Sequence, residues 1–156
     1  MRVFQHLRVY VASSWKNPHY QDVVSALRSH GHAVFDWRES GFHFPECTTR
    51  LDYFYALHGS DASAQFHRDL RAIEEADAVV LLLPCGASAH AEAAWAAAKD
   101  KQVIVFLDEK PQPELLHRLF NGFVESIEQL LFVLSSAQAG DAHGDATTIE
   151  GVRLAP

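Results

Sequence analysis

Apolar positions along the chain fall into short continuous runs separated by helical stripes. Leu7 to Ala12 is rich in β-favouring residues and ends in Ser13-Ser14, the pattern of a first strand closed by a turn. After Pro18, Val23, Val24 and Leu27 share one helical face with Ala26 beside them, and Gly31 stops that helix. His32 to Trp37 reads as a second strand. From Arg38 to about Ser60 the polar and aromatic residues show no clean period, so this stretch is expected to be a loop, functional or mobile in character. A second helix is predicted from Ala62 or Ser63 to about Glu75, with Phe66, Leu70 and Ile73 on its buried stripe. Ala78 to Leu83 is unbroken apolar sequence, as in a strand covered on both faces. Pro84-Cys85-Gly86 interrupts it, and an alanine-rich helix runs from about Ser88 to Lys99. Gln102 to Leu107 is another buried strand. A helix-like stretch follows Pro113, then a weak strand near Phe120 to Val124 and a helix from Glu125 to Leu134.

Strands that alternate with helices imply a doubly wound α/β sandwich: a parallel sheet joined by right-handed crossovers, with helices on both faces. Five strands predict the order 2-1-3-4-5, and ligands bind such sheets at the carboxyl ends of the strands, where the order reverses. Two loops meet there, Ala12-Ser13-Ser14-Trp15-Lys16 and Pro84-Cys85-Gly86-Ala87-Ser88.

Composition narrows the class. Of 156 residues, 48% are hydrophobic and 21% charged, which is ordinary for a globular domain. Thirteen basic against twenty acidic residues give a net charge of −7, which argues against nucleic acid as a partner. Two cysteines, Cys47 and Cys85, make no disulfide framework and no zinc site alone. The start of the chain lacks the apolar stretch of a signal peptide, and Ala78 to Pro84 is too short to cross a bilayer. The expectation is a soluble, cytoplasmic, single domain over residues 1–135. A tail over 136–156, rich in Gly, Ala and Asp, is expected to be flexible or docked on a partner.

Familiar motifs are absent. Neither GxGxxG nor GxxxxGK[ST] occurs, so the common dinucleotide and P-loop readings have no support. Gly86-Ala87-Ser88-Ala89-His90 resembles a nucleophile elbow, but His90 stands where the second glycine belongs. The histidines form no recognised metal pattern. Glu92 stands out in a largely apolar helix that opens at the switch point. Four residues separate it from Ser88, which fits a capping box poorly. It reads either as an exposed helix acid or as a carboxylate that attacks or stabilises an oxocarbenium-like centre. Asp69 reads as a solvated helix acid when taken alone, and Asp77 as a structural cap of the third strand. Trp15, Trp37, Phe42 and Phe44 suit either stacking on a base or filling a core. Lys16 and Arg38 read either as solvated loop cations or as the groups that neutralise a phosphate. Gly86, Ala87 and Ser88 offer backbone donors to an anion.

At Val9-Tyr10-Val11-Ala12-Ser13-Ser14, at Asp69 to Asp77 and at Ser88 to Trp95, the chain resembles the nucleoside 2-deoxyribosyltransferase-like superfamily, which includes nucleoside 5′-monophosphate N-glycosidases. The likeness covers roughly residues 7 to 135. It implies that Glu92 is the nucleophile, that Asp69 assists at the base or sugar, and that Tyr10 lies near the nucleophile. The turns at Ser13, Ser14, Trp15 and Lys16 and at Gly86, Ala87 and Ser88 would contact substrate, with Asp36, Trp37 and Arg38 as the remaining binding candidates. The implied activity is retaining cleavage or transfer at the N-glycosidic bond of a (deoxy)nucleoside or its 5′-monophosphate, with no cofactor. The implied assembly is a homodimer or larger homo-oligomer whose site lies near the subunit contact, where Trp95 anchors either that contact or its own core. Where the family has Glu-Leu-Gly or Glu-Ile-Gly, this chain has Glu92-Ala93-Ala94. That departure motivates the alternative of a non-catalytic nucleotide-binding or signalling module.

Overall fold

Five parallel strands, β1 (Arg8–Ala12), β2 (Ala33–Phe35), β3 (Ala78–Leu82), β4 (Gln102–Phe106) and β5 (Gly122–Val124), form one sheet in the order β2-β1-β3-β4-β5. This is the order the strand and helix alternation predicts. The computed structural model describes residues 6–136, so the 136–156 tail lies outside the described residues apart from its first position. Five helices accompany the sheet: α1 (Tyr20–Ser29), α2 (Arg50–His58), α3 (Ser60–Glu75), α4 (Ala87–Ala98) and α5 (Ile127–Ser136).

Side-chain alternation in the strands sorts the core into two halves. Val9, Val11, Val80, Leu82 and Ile104 face α1 and α5, meeting Tyr20, Val23, Val24, Leu27, Leu130 and Leu134. Tyr10, Ala12, Val79, Leu81, Val103 and Val105 face α3 and α4, meeting Ile73, Ala89, Ala93 and Ala96. β3 is buried along its whole length, which is why its sequence shows no alternation. α1 ends as its sequence predicts: Gly31 takes φ +86, a left-handed conformation that a side chain would strain.

Two expectations are corrected. The aperiodic stretch from Arg38 to Ser60 is not all loop. It holds a 3-10 turn at Trp37–Ser40 and the nine-residue α2, which Thr49 and Asp52 open with a reciprocal capping box. α2 has no buried residue, so no burial pattern marks it in the sequence. Its Leu51, Tyr53, Phe54, Tyr55 and Leu57 are each at least 44% exposed. Phe66 is not on a buried stripe either; it is 58% exposed. Ala62, Gln65 and Ile73 are the buried positions of α3, and it starts at Ser60. Elsewhere the boundaries move by a few residues, and the stretch after Pro113 is a 3-10 turn at Leu115–Leu119.

Candidate active site

Three acidic or phenolic groups converge beneath α3 and α4. Tyr10 lies in the middle of β1, opposite Val79 of β3 and Phe35 of β2, and its ring stacks on Phe35 at 5.9 Å between centroids. The parity of β1 sends this side chain to the α3–α4 face, where it is fully buried. Ala89, Ala93 and Ala96, spaced i, i+4, i+7, form the buried stripe of α4. Their methyl groups are small enough for the helix to sit close on the sheet. Glu92, flanking that stripe, is thereby drawn down into a half-buried position. Asp69 approaches from α3, also half-buried.

The electrostatics follow from that enclosure. Glu92 is pushed up from 4.5 to about 7, first by burial and then by the charge of Asp69, while Tyr10 works the other way and favours the carboxylate. Tyr10 Oη completes no hydrogen bond of ordinary geometry, so its hold on Glu92 is close proximity without full alignment. Burial, Glu92 and Asp69 together keep the Tyr10 phenol protonated far above its usual range. Asp69 is raised by burial, against the hydrogen bond from Gln65 and the charge of Arg68. Perturbed acids gathered in a partly closed site are a recurring mark of acid–base and nucleophilic chemistry.

The two switch-point loops meet as predicted and are tied to each other. Ser13 Oγ donates to the Leu82 carbonyl at 2.9 Å, and Asn17 Nδ2 donates to the Leu82 and Pro84 carbonyls at 3.4 and 3.2 Å. Ser14 Oγ accepts from the Lys16 amide at 3.2 Å. Trp15 and Lys16 are exposed on the loop, and Trp15 packs against His43 at 4.6 Å and edge-on to Trp37 at 5.0 Å. Gly86 is the N-cap of α4, and Ala87 and Ser88 are exposed in its first turn, so their amides are open to a ligand. Phe42 and Phe44 pack edge-to-face with centroids 5.0 Å apart, and Phe44 is largely exposed.

Asp36, Trp37 and Arg38 are brought to the same edge but are spent on the protein itself. Asp36 is buried and accepts from Tyr20 Oη and the Arg38 amide, both at 3.0 Å. Trp37 Nε1 donates to the Val11 carbonyl at 2.8 Å. Arg38 Nη2 donates to the carbonyls of Ser14, Trp15 and Asn17 at 2.6, 3.1 and 3.2 Å, and its guanidinium lies 4.0 Å from the Tyr20 ring centroid. The side chain is a brace for the β1–α1 loop. That use leaves Lys16 as the free cation of this loop among the described residues.

Residues that the sequence does not mark as site residues also gather here. Gln65 sits four residues before Asp69, a spacing that signals contact on one helix face. Asn17 carries no such signal, because its partners are main-chain carbonyls. Cys85, in the turn before α4, is pushed up to about 11 by burial, then by Glu92 and Asp108. His90 and His117 face each other with Nε2 atoms 3.0 Å apart and rings nearly parallel, tying α4 to the 3-10 turn at Leu115–Leu119. Among the described residues no cluster of His, Cys, Asp or Glu is arranged to hold a metal ion. A groove of about 400 Å³ is lined by Phe35, His67, Arg68, Arg71 and Glu75 among others, without Asp69, Glu92 or Tyr10.

No protein-family model matches the sequence, and no curated protein is similar to it. Among solved structures, the chain is similar to a 2-deoxyribosyltransferase from Bacillus psychrosaccharolyticus. The two are 19% identical over 79% of this chain and 89% of that one, with a TM-score of 0.58. The fold is that of a 2-deoxyribosyltransferase. A CMP N-glycosidase from Clostridium botulinum is also similar, at 21% identity over 81% of this chain and 96% of that one, with a TM-score of 0.49. Among the described residues no helix of this deoxyribosyltransferase-like fold is long and apolar enough to cross a membrane.

Proposed function

We propose that the chain is an enzyme acting on the N-glycosidic bond of a (deoxy)nucleoside or nucleoside 5′-monophosphate. The observation that carries this reading is the half-buried Glu92 carboxyl, held at about 7 beside Asp69 and Tyr10 at the switch point of the sheet. Glu92 attacks C1′ of the sugar. A C1′–O bond to the carboxylate forms as the C1′–N bond breaks, and the electron pair leaves with the base. Asp69 assists the base or sugar through a hydrogen bond or a proton. In the second step water or another base attacks C1′ and restores the Glu92 carboxylate, so configuration is retained. Ser13, Ser14, Trp15 and Lys16 with the Gly86–Ser88 turn are the substrate-contacting loops of this reading. Lys16 is the residue we assign to a 5′-phosphate, since Arg38 is engaged with carbonyls. The substrate class belongs to the cytoplasmic nucleotide pool, and we propose that compartment.

The test is a panel of nucleosides and monophosphates, with and without an acceptor base, followed for base release or exchange. Turnover lost in Glu92→Ala supports the reading. No turnover across the panel, or equal turnover in wild type and Glu92→Ala, rejects it.

We further infer a homo-oligomer, most simply a dimer. Trp95 is 38% exposed on α4, with Lys99 Nζ 4.7 Å from its ring centroid, and α2 leaves Leu51, Tyr53, Phe54, Tyr55 and Leu57 exposed. Clustered exposed apolar side chains of this kind mark interaction surfaces. Light scattering across a dilution series, paired with Trp95→Glu and Tyr55→Glu, tests this. A wild-type monomer at micromolar concentration with normal turnover refutes a shared site.

A further inference from the structure

Gln65 is a buried polar side chain, 7% exposed, on a helix whose other inward residues are apolar or acidic. Both ends of its amide are occupied. Arg68 Nη2 donates to Gln65 Oε1 at 2.8 Å, and Gln65 Nε2 donates to Asp69 Oδ1 at 2.6 Å. The spacing i, i+3, i+4 brings the three side chains together on α3. A guanidinium has only donors, so the amide oxygen must turn to Arg68 and the amide nitrogen must turn to Asp69. The orientation of the amide is therefore dictated by chemistry.

We propose that Gln65 is the positioning residue of the site: oriented by Arg68, it caps Oδ1 of Asp69, fixes that carboxyl, and leaves Oδ2 as the oxygen that meets substrate. The inference rests on the reading of Asp69 as part of an N-glycosidic site. A donor at Oδ1 favours the charged carboxylate and opposes the burial that disfavours it. When Asp69 carries a proton, Oδ2 is the favoured oxygen, because the bond donated to Oδ1 lowers the basicity of that oxygen. One oxygen is thus reserved for structure and one for chemistry. The ionisable and charged groups around it are Arg68 on α3, Glu92 on α4 and Tyr10 on β1.

The test follows the Asp69 carboxyl carbon by NMR titration in wild type, Gln65→Met, Gln65→Glu and Arg68→Met, beside steady-state kinetics of N-glycosidic cleavage. Gln65→Met raises the Asp69 midpoint by about one pH unit, the size expected for one lost hydrogen bond to a charged group. Gln65→Glu raises it further, because it sets a second carboxylate beside the first, and it keeps the side-chain shape should Gln65→Met fail to fold. Arg68→Met moves it in the same direction, both by removing a positive charge and by freeing the amide to turn. For an active wild type, kcat falls about tenfold in Gln65→Met while KM changes less than about twofold. An unmoved midpoint in both Gln65 variants overturns the proposal, as does an unchanged kcat beside a moved midpoint. A moved midpoint in a protein that cleaves no substrate rejects the N-glycosidic reading yet supports the capping of Asp69 by Gln65.

Discussion

Replacing Glu92 with Gln removes one ionisation and almost nothing else, so its effect on stability reads the burial of this carboxyl directly. In the folded chain Glu92 holds its proton to about 7, against 4.5 in an open chain. At about 1.4 kcal/mol per pKa unit, that difference is about 3 kcal/mol. Its sign is destabilising. The folded state binds the proton more tightly than the unfolded state, so the wild type has its full stability below pH 4.5, loses it as pH rises to about 7, and is level above that. Glu92→Gln escapes the loss. It should match the wild type near pH 4.5, apart from a constant offset, and gain about 3 kcal/mol relative to it by pH 8. For a domain of this size that gain corresponds to about 10 °C in Tm. Urea unfolding of both proteins at half-unit steps from pH 4 to 8.5 supplies the curve. Taking the difference between variant and wild type cancels groups that titrate alike in both, such as Asp77, which its bonds from Arg8 hold below the usual range. A difference that stays flat across this window would show that Glu92 is not buried among like charges, and the electrostatic basis of the site would fall with it.

The same ionisation governs turnover: kcat/KM should rise tenfold per pH unit below about 7 and level above it, and Tyr10→Phe should move that limb to higher pH, since the phenol favours the Glu92 carboxylate. A limb that stays in place in Tyr10→Phe would contradict that role. Arg38→Met removes three bonds from one guanidinium to loop carbonyls and should cost about 3 kcal/mol by urea unfolding, whereas a loss under about 1 kcal/mol would mean the brace is idle. Cys85, with a thiol at about 11, should be about a thousandth thiolate at pH 8, so a disulfide reagent should modify exposed Cys47 first and Cys85 slowly. Equal rates for the two thiols would refute this.

The sheet was readable because burial writes itself into sequence where an element is covered. Val79 to Leu83 is unbroken apolar chain for the reason that β3 sits between two neighbours and two layers of helices. α1 announced itself through Val23, Val24 and Leu27, and its end through a glycine that the backbone needs. α2 failed the same test from the other side. Leu51, Tyr53, Phe54, Tyr55 and Leu57 surround it without facing a core in this chain, so apolar periodicity had nothing to report. The only local mark was Thr49 three residues before Asp52, a capping box with aspartate in place of the usual glutamate.

Within the site, legibility depends on whether a residue's partner has a side chain of its own. Glu92 was visible as an acid in an apolar helix, and its distance of four from Ser88 already argued against a cap; the structure agrees, since Gly86 holds that position. Arg38 looked like a ligand for phosphate because a guanidinium in a loop invites that reading. Its three acceptors are carbonyls, which every residue owns and which leave no trace in the sequence. Asn17 is silent for the same reason, although it joins the two loops that frame the pocket. Gln65 is the intermediate case, because its partners Arg68 and Asp69 are side chains at helical spacing. Once Asp69 is suspected, a polar residue one turn before it becomes a question about what fixes that carboxyl. Chemistry then supplies the answer: an arginine that can only donate turns the amide, and the amide chooses the oxygen.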